Sequence, residues 1–282
     1  MSVDNTFFIK QLRKRESLIA AFCSFTNMPF VVCDPETFND QVWVFETEEQ
    51  LQAFAKPYTE KKMLLQGRKI LNKDFLGFFS SLYFIGINEI VYQGEELSPV
   101  CLELGSIVNA PDFQKMKPNQ RPLMNANLQL TGLYFMQEAS RPVPNEEKEN
   151  LAELEEEFAS NLVRCRYLLP IILLNGPGSV PDKIKNRRYQ VPMVKTKDGT
   201  ILQPLCSDQT ELQKFAQGKK MMALTFPFAA LEKTLSKEAK GYMLNPAGFH
   251  ALLTREVLEA LPKRFDDGEP DEEDGQEEGK ES

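Results

Sequence analysis

The chain has 282 residues, 42% of them hydrophobic, which is enough to fill one large domain or two of ordinary size. Its formal net charge of −8 comes from the end of the sequence: residues 266–282 hold ten acids and one lysine, and the rest holds 31 acids and 32 bases. No apolar stretch approaches the roughly 20 residues of a membrane helix, so we expect no membrane insertion. The first residues lack a basic segment followed by an apolar one, so we expect a cytoplasmic protein without a secretory signal.

The five cysteines, Cys23, Cys33, Cys101, Cys165 and Cys206, are far apart and form no CxxC pair. Disulfides and metal sites need closely spaced pairs, so the expectation is buried free thiols in a reducing compartment. The acidic segment at the end has no hydrophobic residue to bury and is predicted to be disordered. Solubility is one role for this tail, and docking or self-regulation is the alternative.

Residues 1–105 are predicted to form a first α+β module. Phe8, Leu12, Ile19 and Phe22 recur at helical spacing, which indicates an amphipathic helix. A basic cluster over 10–15 lies mostly off that stripe and is better explained as a solvated helix face than as a nucleic-acid contact. The predicted elements are helices over 5–22, 47–55 and 74–84 and strands over 30–33, 42–45, 90–92 and 102–104.

Residues 106–127, rich in Pro, Asn and Lys, are predicted to be a linker. A second module with its leading helices is predicted over 128–264, followed by the acidic tail over 265–282. Asn145 is predicted to cap a helix over 146–166, with acids in its first turn and arginines in its last. Asp198 and Gly199 predict a β-hairpin with a type I′ turn. The other predicted elements are helices over 128–139, 208–216, 226–235 and 255–261 and strands over 167–174, 190–196, 200–205, 242–244 and 249–252.

Two nine-residue segments 161 residues apart resemble each other: residues 47–55 read TEEQLQAFA and residues 208–216 read DQTELQKFA. Each has an N-cap side chain followed three residues later by an acid or amide, as in a capping box. Each follows a predicted strand and precedes a second helix, a glycine and another strand. This shared order predicts a tandem duplication of one module. The matching residues are Thr47, Gln50, Leu51 and Phe54 in the first segment and Asp208, Glu211, Leu212 and Phe215 in the second.

The later copy ends with a distinctive motif, GYMLNPAG, over residues 241–248. Gly241 opens a predicted strand, and Asn245, Pro246 and Gly248 suit the β-turn that follows it. Together with the Leu-x-x-Phe helix, this motif resembles the N-terminal domain of the bacterial SseB family, named for enhanced serine sensitivity. The resemblance covers roughly residues 126–262; the first copy has VYQG over 91–94 where the turn motif would stand. It implies a small bacterial α+β domain and supplies no catalytic residues.

Residues able to support catalysis are few. His250 is the sole histidine, so a Ser-His-Asp or Cys-His arrangement would have to use it. Its position after a predicted turn is typical of a surface histidine. One histidine without a CxxC pair makes a structural zinc site unexpected, and the glycine-rich segments over 176–179 and 275–280 lack the spacing of a phosphate loop. We therefore predict no catalytic, cofactor-binding or metal-binding residue.

Several aromatic side chains could line a ligand pocket or a partner groove, although core packing is the expectation for most of them. These are Trp43, Phe78, Phe79, Tyr83 and Phe84.

Three functional hypotheses remain open. The leading one is a non-catalytic protein-interaction or regulatory module, in which two SseB-like modules pack as an intramolecular pseudo-dimer and present a surface to a protein partner. The second is a small-molecule binding module, related to amino acids through the family name alone. The third is an unrecognised enzyme that uses carboxylates or His250. Neither the partner nor the oligomeric state is predicted.

Overall fold

The computed structural model describes residues 5–94, 98–117, 120–174 and 188–265. The predicted acidic tail after residue 265 and the glycine-rich segment over 176–179 lie outside this part of the chain. The N-terminal half contains α1 (Thr6–Lys14), β1 (Ser17–Cys23), β2 (Met28–Pro29), β3 (Val31–Cys33), β4 (Asp40–Phe45), α2 (Glu48–Glu60), β5 (Leu65–Leu71), α3 (Phe75–Leu82), β6 (Glu89–Gln93), β7 (Val100–Glu103) and α4 (Leu104–Ile107). After α5 (Ala126–Ala139), the C-terminal half contains α6 (Leu151–Arg164), β8 (Arg166–Leu173), β9 (Tyr189–Gln190), β10 (Val194–Lys195), β11 (Ile201–Leu205), α7 (Gln209–Ala216), β12 (Met222–Pro227), α8 (Leu231–Thr234), β13 (Gly241–Leu244), β14 (Ala251–Thr254) and α9 (Arg255–Arg264).

The N-terminal half is built on one mixed sheet. β1 pairs antiparallel with β5 along one edge and with β4 and β2 along the other. β4 pairs parallel with β6 and antiparallel with β3, and β6 pairs antiparallel with β7. The sheet therefore has the order β5-β1-β4-β6-β7, with β2 and β3 as short additions.

The C-terminal half repeats these pairings. β8 pairs antiparallel with β12 and β9, β11 pairs parallel with β13 and antiparallel with β10, and β13 pairs antiparallel with β14. A single antiparallel bridge between Leu168 and Cys206 stands where Ile19 meets Phe45 in the N-terminal half. The predicted α+β class, with mixed and antiparallel sheets flanked by helices, is confirmed. The origin of this likeness by duplication stays a proposal.

One hydrophobic core extends through both halves. Phe79 and Tyr92 from the N-terminal half and Tyr167 and Tyr242 from the C-terminal half are among its largest fully buried side chains. Smaller clusters lie on the opposite face of each sheet, beneath α2 and α7. The two smaller clusters place corresponding residues together: Ile19, Phe45 and Leu51 in the first, Leu168, Cys206 and Leu212 in the second.

The helix α5 joins the halves. Near its C-terminal end, the Gln137 amide accepts from the N–H of Val31 at 2.9 Å and donates to the carbonyl of the same residue at 3.1 Å. Tyr134 donates to Asp40 Oδ1 at 2.7 Å. Near its N-terminal end, Gln129 donates to Asp208 of the C-terminal half at 2.7 Å. None of the helices in the described ranges is long and apolar enough to cross a membrane.

Several sequence predictions of secondary structure are wrong in part. The helix predicted over 5–22 ends at Lys14, and β1 follows from Ser17 to Cys23. Residues 18–23 are buried at every position, as a central strand requires. The two strands β5 and β12 were not predicted, and β12 occupies the start of the helix predicted over 226–235. Both lie at sheet edges. Their burial alternates, but hydrophobic and polar residues do not alternate along LQGRKIL and MALTFP, so the sequence pattern of a strand is missing.

The helix predicted over 146–166 is shorter than expected. Residues 145–147 form a separate 3₁₀ turn, and α6 begins after Asn150, whose φ of +51° interrupts the helix. Asn145 is therefore not its cap. The predicted hairpin is present only in part. Val194 and Lys195 pair with β11, whereas Tyr189 and Gln190 pair with β8, so the strand predicted over 190–196 is divided in two. Only Gly199 of the turn has a positive φ. The turn is thus not type I′, which requires two such residues.

Candidate functional site

The capping box predicted at the start of α2 is present. Thr47 Oγ1 accepts from the N–H of Gln50 at 3.3 Å, and Gln50 Oε1 accepts from the N–H groups of Thr47 and Glu46, both at 3.1 Å. Gln50 Nε2 donates to the carbonyl of Gly94 at 2.8 Å. The Gln50 amide is therefore hydrogen-bonded at both its oxygen and its nitrogen, and it ties α2 to the residue after β6.

The corresponding box at α7 is only half formed. Asp208 Oδ1 accepts from the N–H of Glu211 at 3.0 Å, but the Glu211 side chain does not return the bond. Its Oε1 accepts from Lys214 Nζ at 2.7 Å, and its buried Oε2 has no hydrogen-bond partner among the described residues. A Cβ added to Gly248 would lie 2.6 Å from Oε2. Any larger residue at 248 would therefore clash with the Glu211 carboxyl group in its present position.

Asn245 makes the contact that Gln50 makes in the N-terminal half. Ser207, which corresponds in position to Glu46, donates its N–H to Asn245 Oδ1 at 2.8 Å. The Asn245 amide donates to Ser207 Oγ at 3.0 Å. Asn245 is fully buried and has a φ of +50°, a left-handed conformation that asparagine tolerates better than most residues. Because Asn245 satisfies this N–H group, Glu211 is released from the capping role.

Asp208 is the centre of a buried polar network. Its Oδ2 accepts from Gln129 Nε2 and from Ser207 Oγ, both at 2.7 Å. Asp208 and Gln129 are each 1% exposed, and Gln129 Oε1 has no partner in the described part of the chain. An unpaired buried acceptor costs about 1–3 kcal/mol. Four other buried side-chain atoms of the described residues also lack a hydrogen-bond partner, but Glu211 and Gln129 are the pair that both hydrogen-bond to Asp208.

Both residues with unpartnered oxygens line one cavity, which we call the cleft cavity. It has a volume of about 250 Å³ and lies where the N-terminal half, α5 and the C-terminal half meet. The apolar and aromatic lining residues come mainly from the N-terminal half, and the polar residues contributed by α5 and the start of α7 are called the polar wall. The lining residues are Phe22, Asn27, Met28, Pro29, Arg68, Phe78, Ser81, Phe84 and Ile85 from the N-terminal half, Gln129 from α5, and Asp208, Thr210, Glu211, Lys214 and Ala247 from the C-terminal half.

The polar wall has a distinct electrostatic character. Burial raises the pKa of Glu211, the Lys214 ammonium group opposes that rise, and the neighbouring Asp208 carboxylate adds to it. The Gln129 amide is close enough to oppose the rise as well, although it forms no hydrogen bond of normal geometry with either Glu211 oxygen. The Glu211 carboxyl group therefore sits where its charged form is disfavoured unless a cation or donor approaches.

The cationic side chains of the cleft cavity already have partners. Lys214 Nζ pairs with Glu211 and lies 3.9 Å from Met28 Sδ across the cavity. The Arg68 guanidinium group lies 4.2 Å from the centroid of the Phe22 ring and donates to Asn27 Oδ1. The positive groups of the cavity are thus engaged, and the two acceptor oxygens are not.

The structure brings some of the predicted motif residues together and separates others. Asp208, Glu211, Asn245 and Gly248 lie together beside the cleft cavity. The motif residues located elsewhere are Thr47 and Gln50 at the start of α2, Leu51 and Leu212 buried beneath α2 and α7, Phe54 and Phe215 half-buried beside them, Asp198 and Gly199 in the hairpin turn, Gly241 at the start of β13, and Pro246 in the turn closed by the Gly248 N–H and the Asn245 carbonyl.

The aromatic residues divide between core and cavity. Trp43 stacks on Phe54 with a centroid distance of 4.6 Å, and Phe79 is buried in the main core. Phe78 and Phe84 line the cleft cavity.

His250 and the cysteines lie apart from the cleft cavity. His250 is exposed, with a φ of +47°, and its Nδ1 lies 3.1 Å from the carbonyl oxygen of Gly248. Cys23 and Cys206 are buried, as predicted, but Cys33 and Cys101 are exposed, so the prediction of buried thiols is wrong for them. All five cysteines are free, and no three His, Cys, Asp or Glu residues of the described ranges are grouped to hold a metal ion.

Sequence reasoning missed Gln129. The residue lies 79 positions before Asp208, so no local pattern connects them. One signal was present: α5 is mostly apolar, and a glutamine on such a helix must find hydrogen bonds inside the protein. Gln129 and Gln137 are both buried in this way.

No protein-family model and no curated protein sequence matches this chain. Among solved structures, Anabaena Tic22, titled as a protein of protein transport, is matched at 11% sequence identity over 84% of this chain and 88% of that chain. The TM-score of 0.20 is too low to support a conclusion about fold or function.

Proposed function

We propose that this chain is an SseB-like, non-catalytic binding protein made of two related modules, with its ligand site in the cleft cavity. One observation carries the proposal: Glu211 Oε2 and Gln129 Oε1 are buried, lack hydrogen-bond partners among the described residues, and belong to side chains that line the same cavity. Each unpaired buried acceptor costs about 1–3 kcal/mol, so two of them beside one cavity mark this part of the chain for a role other than packing.

The relation between the halves supports this proposal. Their strands pair in the same order and direction, and α2 and α7 begin with related sequences. At matching positions Gln50 is fully hydrogen-bonded, whereas Glu211 is partly unpaired. This difference between Gln50 and Glu211 is expected if the C-terminal module alone acquired a binding site.

The proposal of a non-catalytic role is supported by the reactive groups. His250 is exposed and contacts a backbone carbonyl, and it does not line the cleft cavity. Burial raises the pKa of Cys206, and it raises the pKa of Cys165 to about 11, so both thiols resist forming the thiolate that nucleophilic catalysis needs. These features favour binding over chemistry.

A thermal-shift measurement tests the proposal with a panel of small cationic, neutral and anionic compounds. Ala247 lines the cleft cavity and is exposed, so Ala247→Phe is designed to fill the cavity without altering Glu211 or Gln129. At least one compound is expected to raise the melting temperature of the wild type and not that of the variant. If every stabilising compound acts equally on both proteins, the cleft cavity is not the binding site.

A protein-partner role is the second candidate, and one observation favours it. Among the described residues β12 pairs with β8 alone, and its sequence, MALTFP, carries no charge. The corresponding strand β5 carries Arg68 and Lys69, and charged residues protect sheet edges from pairing with other chains. Sedimentation of the wild type and of Thr225→Lys tests whether a second copy of the chain adds a strand here. If the wild type associates at high concentration and Thr225→Lys does not, a second copy of the chain pairs with β12. If the wild type is a monomer at all concentrations, a second copy is not the partner.

A further inference from the structure

The direction of the backbone groups along β12 follows from its pairing with β8. Leu168 of β8 exchanges backbone hydrogen bonds with Cys206 at 2.8 and 2.9 Å, so its N–H and C=O groups point away from β12. These groups alternate in direction along an antiparallel strand, so those of Leu169 point toward β12. Leu169 lies opposite Leu224, whose N–H and C=O groups therefore point back toward β8.

The outer edge of β12 is formed by the residues on either side of Leu224. Ala223 and Thr225 direct their N–H and C=O groups away from β8, and in the described ranges no other strand pairs with β12. By the same alternation Pro227 faces outward, where its missing N–H is tolerated because the position is at an edge. The edge therefore offers hydrogen-bonding groups to a further strand at Ala223 and Thr225.

The side chains on one face of β12 form an apolar row. Met222, Leu224 and Phe226 share this face, because alternate residues of a strand point to the same side. Leu224 and Phe226 pack partly against the main core, and Met222 is 38% exposed. A strand added at this edge would cover more of these side chains, which favours pairing through the hydrophobic effect.

The N-terminal half blocks the equivalent contact with charge. Arg68 of β5 corresponds to Leu224 of β12, counted from the matching bridges that β1 and β8 make. Lys69 corresponds in the same way to Thr225. Two copies of β5 meeting at this position would bring like charges together, which is unfavourable across a strand pair. β12 has no such protection.

Resting on the second candidate function, we propose that β12 pairs antiparallel with β12 of a second copy about a two-fold axis at Leu224. Ala223 then lies opposite Thr225 of the second copy, and each such pair exchanges both N–H···O=C bonds. Met222 lies opposite Phe226 of the second copy, a favourable contact between sulfur and an aromatic ring. Both copies use the same surface, so the assembly closes as a dimer.

The position of the axis is set by the strand itself. Outward-facing backbone groups pair only with outward-facing groups, so the axis passes through a residue and not between two residues. An axis at Thr225 would place Pro227, which has no N–H, opposite Ala223. An axis at Ala223 would place Lys220 opposite Phe226. The proposed axis avoids both arrangements.

Disulfide trapping tests this register on the full chain. The background carries Cys33→Ser and Cys101→Ser, which remove the two exposed thiols. In Leu224→Cys the two new cysteines would face each other across the axis at a Cα separation of about 4.5 Å, which suits a disulfide. In Met222→Cys, on the same face, they would lie about 14 Å apart along the strand, too far to be bridged.

Non-reducing electrophoresis after mild oxidation measures the linked dimer. Leu224→Cys is expected to give at least about tenfold more of it than Met222→Cys. A mixture of Met222→Cys and Phe226→Cys is expected to cross-link, although neither does so alone, because these two positions are opposite each other in the proposed register.

Sedimentation from about 1 µM to about 1 mM separates the register from the second candidate function. Thr225 is exposed, so Thr225→Lys is expected to fold, and it places the counterpart of Lys69 at the edge. If the wild type associates, Thr225→Lys does not, and Leu224→Cys is trapped selectively, both proposals stand. If Leu224→Cys is trapped no better than Met222→Cys, a second copy pairs with β12 but the register is wrong.

Two further outcomes would overturn the contact altogether. If Thr225→Lys associates as strongly as the wild type, the copies meet through another surface. If the wild type stays monomeric and Leu224→Cys forms no linked dimer, both the register and the second candidate function fail. None of these outcomes depends on the cleft cavity, which Ala247→Phe tests separately.

Discussion

Glu211 lies 161 residues after Gln50, at the same position of a corresponding helix, yet its side chain makes none of the backbone hydrogen bonds that the Gln50 side chain makes. Asn245 takes over the acceptor role at the N–H of Ser207. The carboxyl group that is released is buried beside the cleft cavity, with one oxygen paired to Lys214 and the other without a partner among the described residues. Gln50 therefore has a structural role at its helix start, whereas Glu211, at the corresponding position, is part of the candidate binding site.

The first prediction concerns the stability of Glu211→Gln as a function of pH. Burial raises the folded-state pKa of Glu211 above the usual 4.5, so the folded protein holds this proton more tightly than the unfolded chain. The stabilisation is fully present below about pH 4.5 and is lost as the pH rises to the raised pKa, with a slope of up to about 1.4 kcal/mol per pH unit. The variant lacks this loss, so its stability relative to the wild type should increase from pH 4 to pH 8 in urea unfolding.

Glu238→Gln provides the control for that experiment, because Glu238 is exposed. Its stability relative to the wild type should stay constant over the same pH range. A constant difference for Glu211→Gln as well would contradict the burial of an ionisable Glu211 carboxyl group.

The second prediction compares the two helix caps. Thr47→Ala removes one cap from α2 and should cost about 1 kcal/mol. Asp208→Ala removes the cap of α7 and also leaves the Gln129 amide and the Ser207 hydroxyl without their acceptor, so it should cost about 3 kcal/mol. Equilibrium urea unfolding of both variants gives the comparison. Equal costs would mean that the buried network contributes nothing beyond the cap.

Local sequence patterns predicted some helix starts and turns, but not the start of α6, the type of the hairpin turn or the edge strands. Thr47 and Asp208 mark helix starts through their own side chains, and the Asn245 turn closes through the Gly248 N–H, so these features depend on neighbouring residues alone. β5 exists because Leu65–Leu71 pairs with β1, some 45 residues earlier in sequence. Its burial alternates, but the hydrophobic and polar residues of LQGRKIL do not.

The candidate site was predicted only in part for the same reason. Asp208 and Glu211 were found as a capping motif, because capping is local. Their role in a cavity depends on α5, which brings Gln129 to Asp208, and on the N-terminal half, which supplies Phe78 and Phe84. The cleft cavity is lined by residues from three separate segments, and the spacing of residues within one segment cannot predict such contacts.

The third prediction concerns thiol reactivity. Cys33 and Cys101 are exposed, Cys165 is half-buried with its pKa raised to about 11 by burial, and Cys23 and Cys206 are buried. A disulfide reagent such as dithionitrobenzoate should therefore modify two thiols readily in the native protein and the other three after unfolding. The reaction should be slow at neutral pH and faster at higher pH. Burial and nearby carboxylates raise the pKa of both exposed thiols, and the thiolate is the reactive form.

Cys33→Ser and Cys101→Ser check the assignment, because each should remove one native-state equivalent from the titration. A native protein that loses no equivalent with either substitution would show that other thiols are the accessible ones.

The fourth prediction contrasts two glycines in regular structure. A Cβ at Gly241 would lie 2.3 Å from the carbonyl oxygen of Leu253, a backbone atom held by the pairing of β13 with β14. Gly241→Ala must push the two strands apart and should cost about 3 kcal/mol. Gly77 lies inside α3 with nothing within 4 Å of its added Cβ, so Gly77→Ala should stabilise the protein by about 0.5–1 kcal/mol. Urea unfolding of both variants measures the two effects, and a neutral Gly241→Ala would mean that the strands do not approach each other this closely.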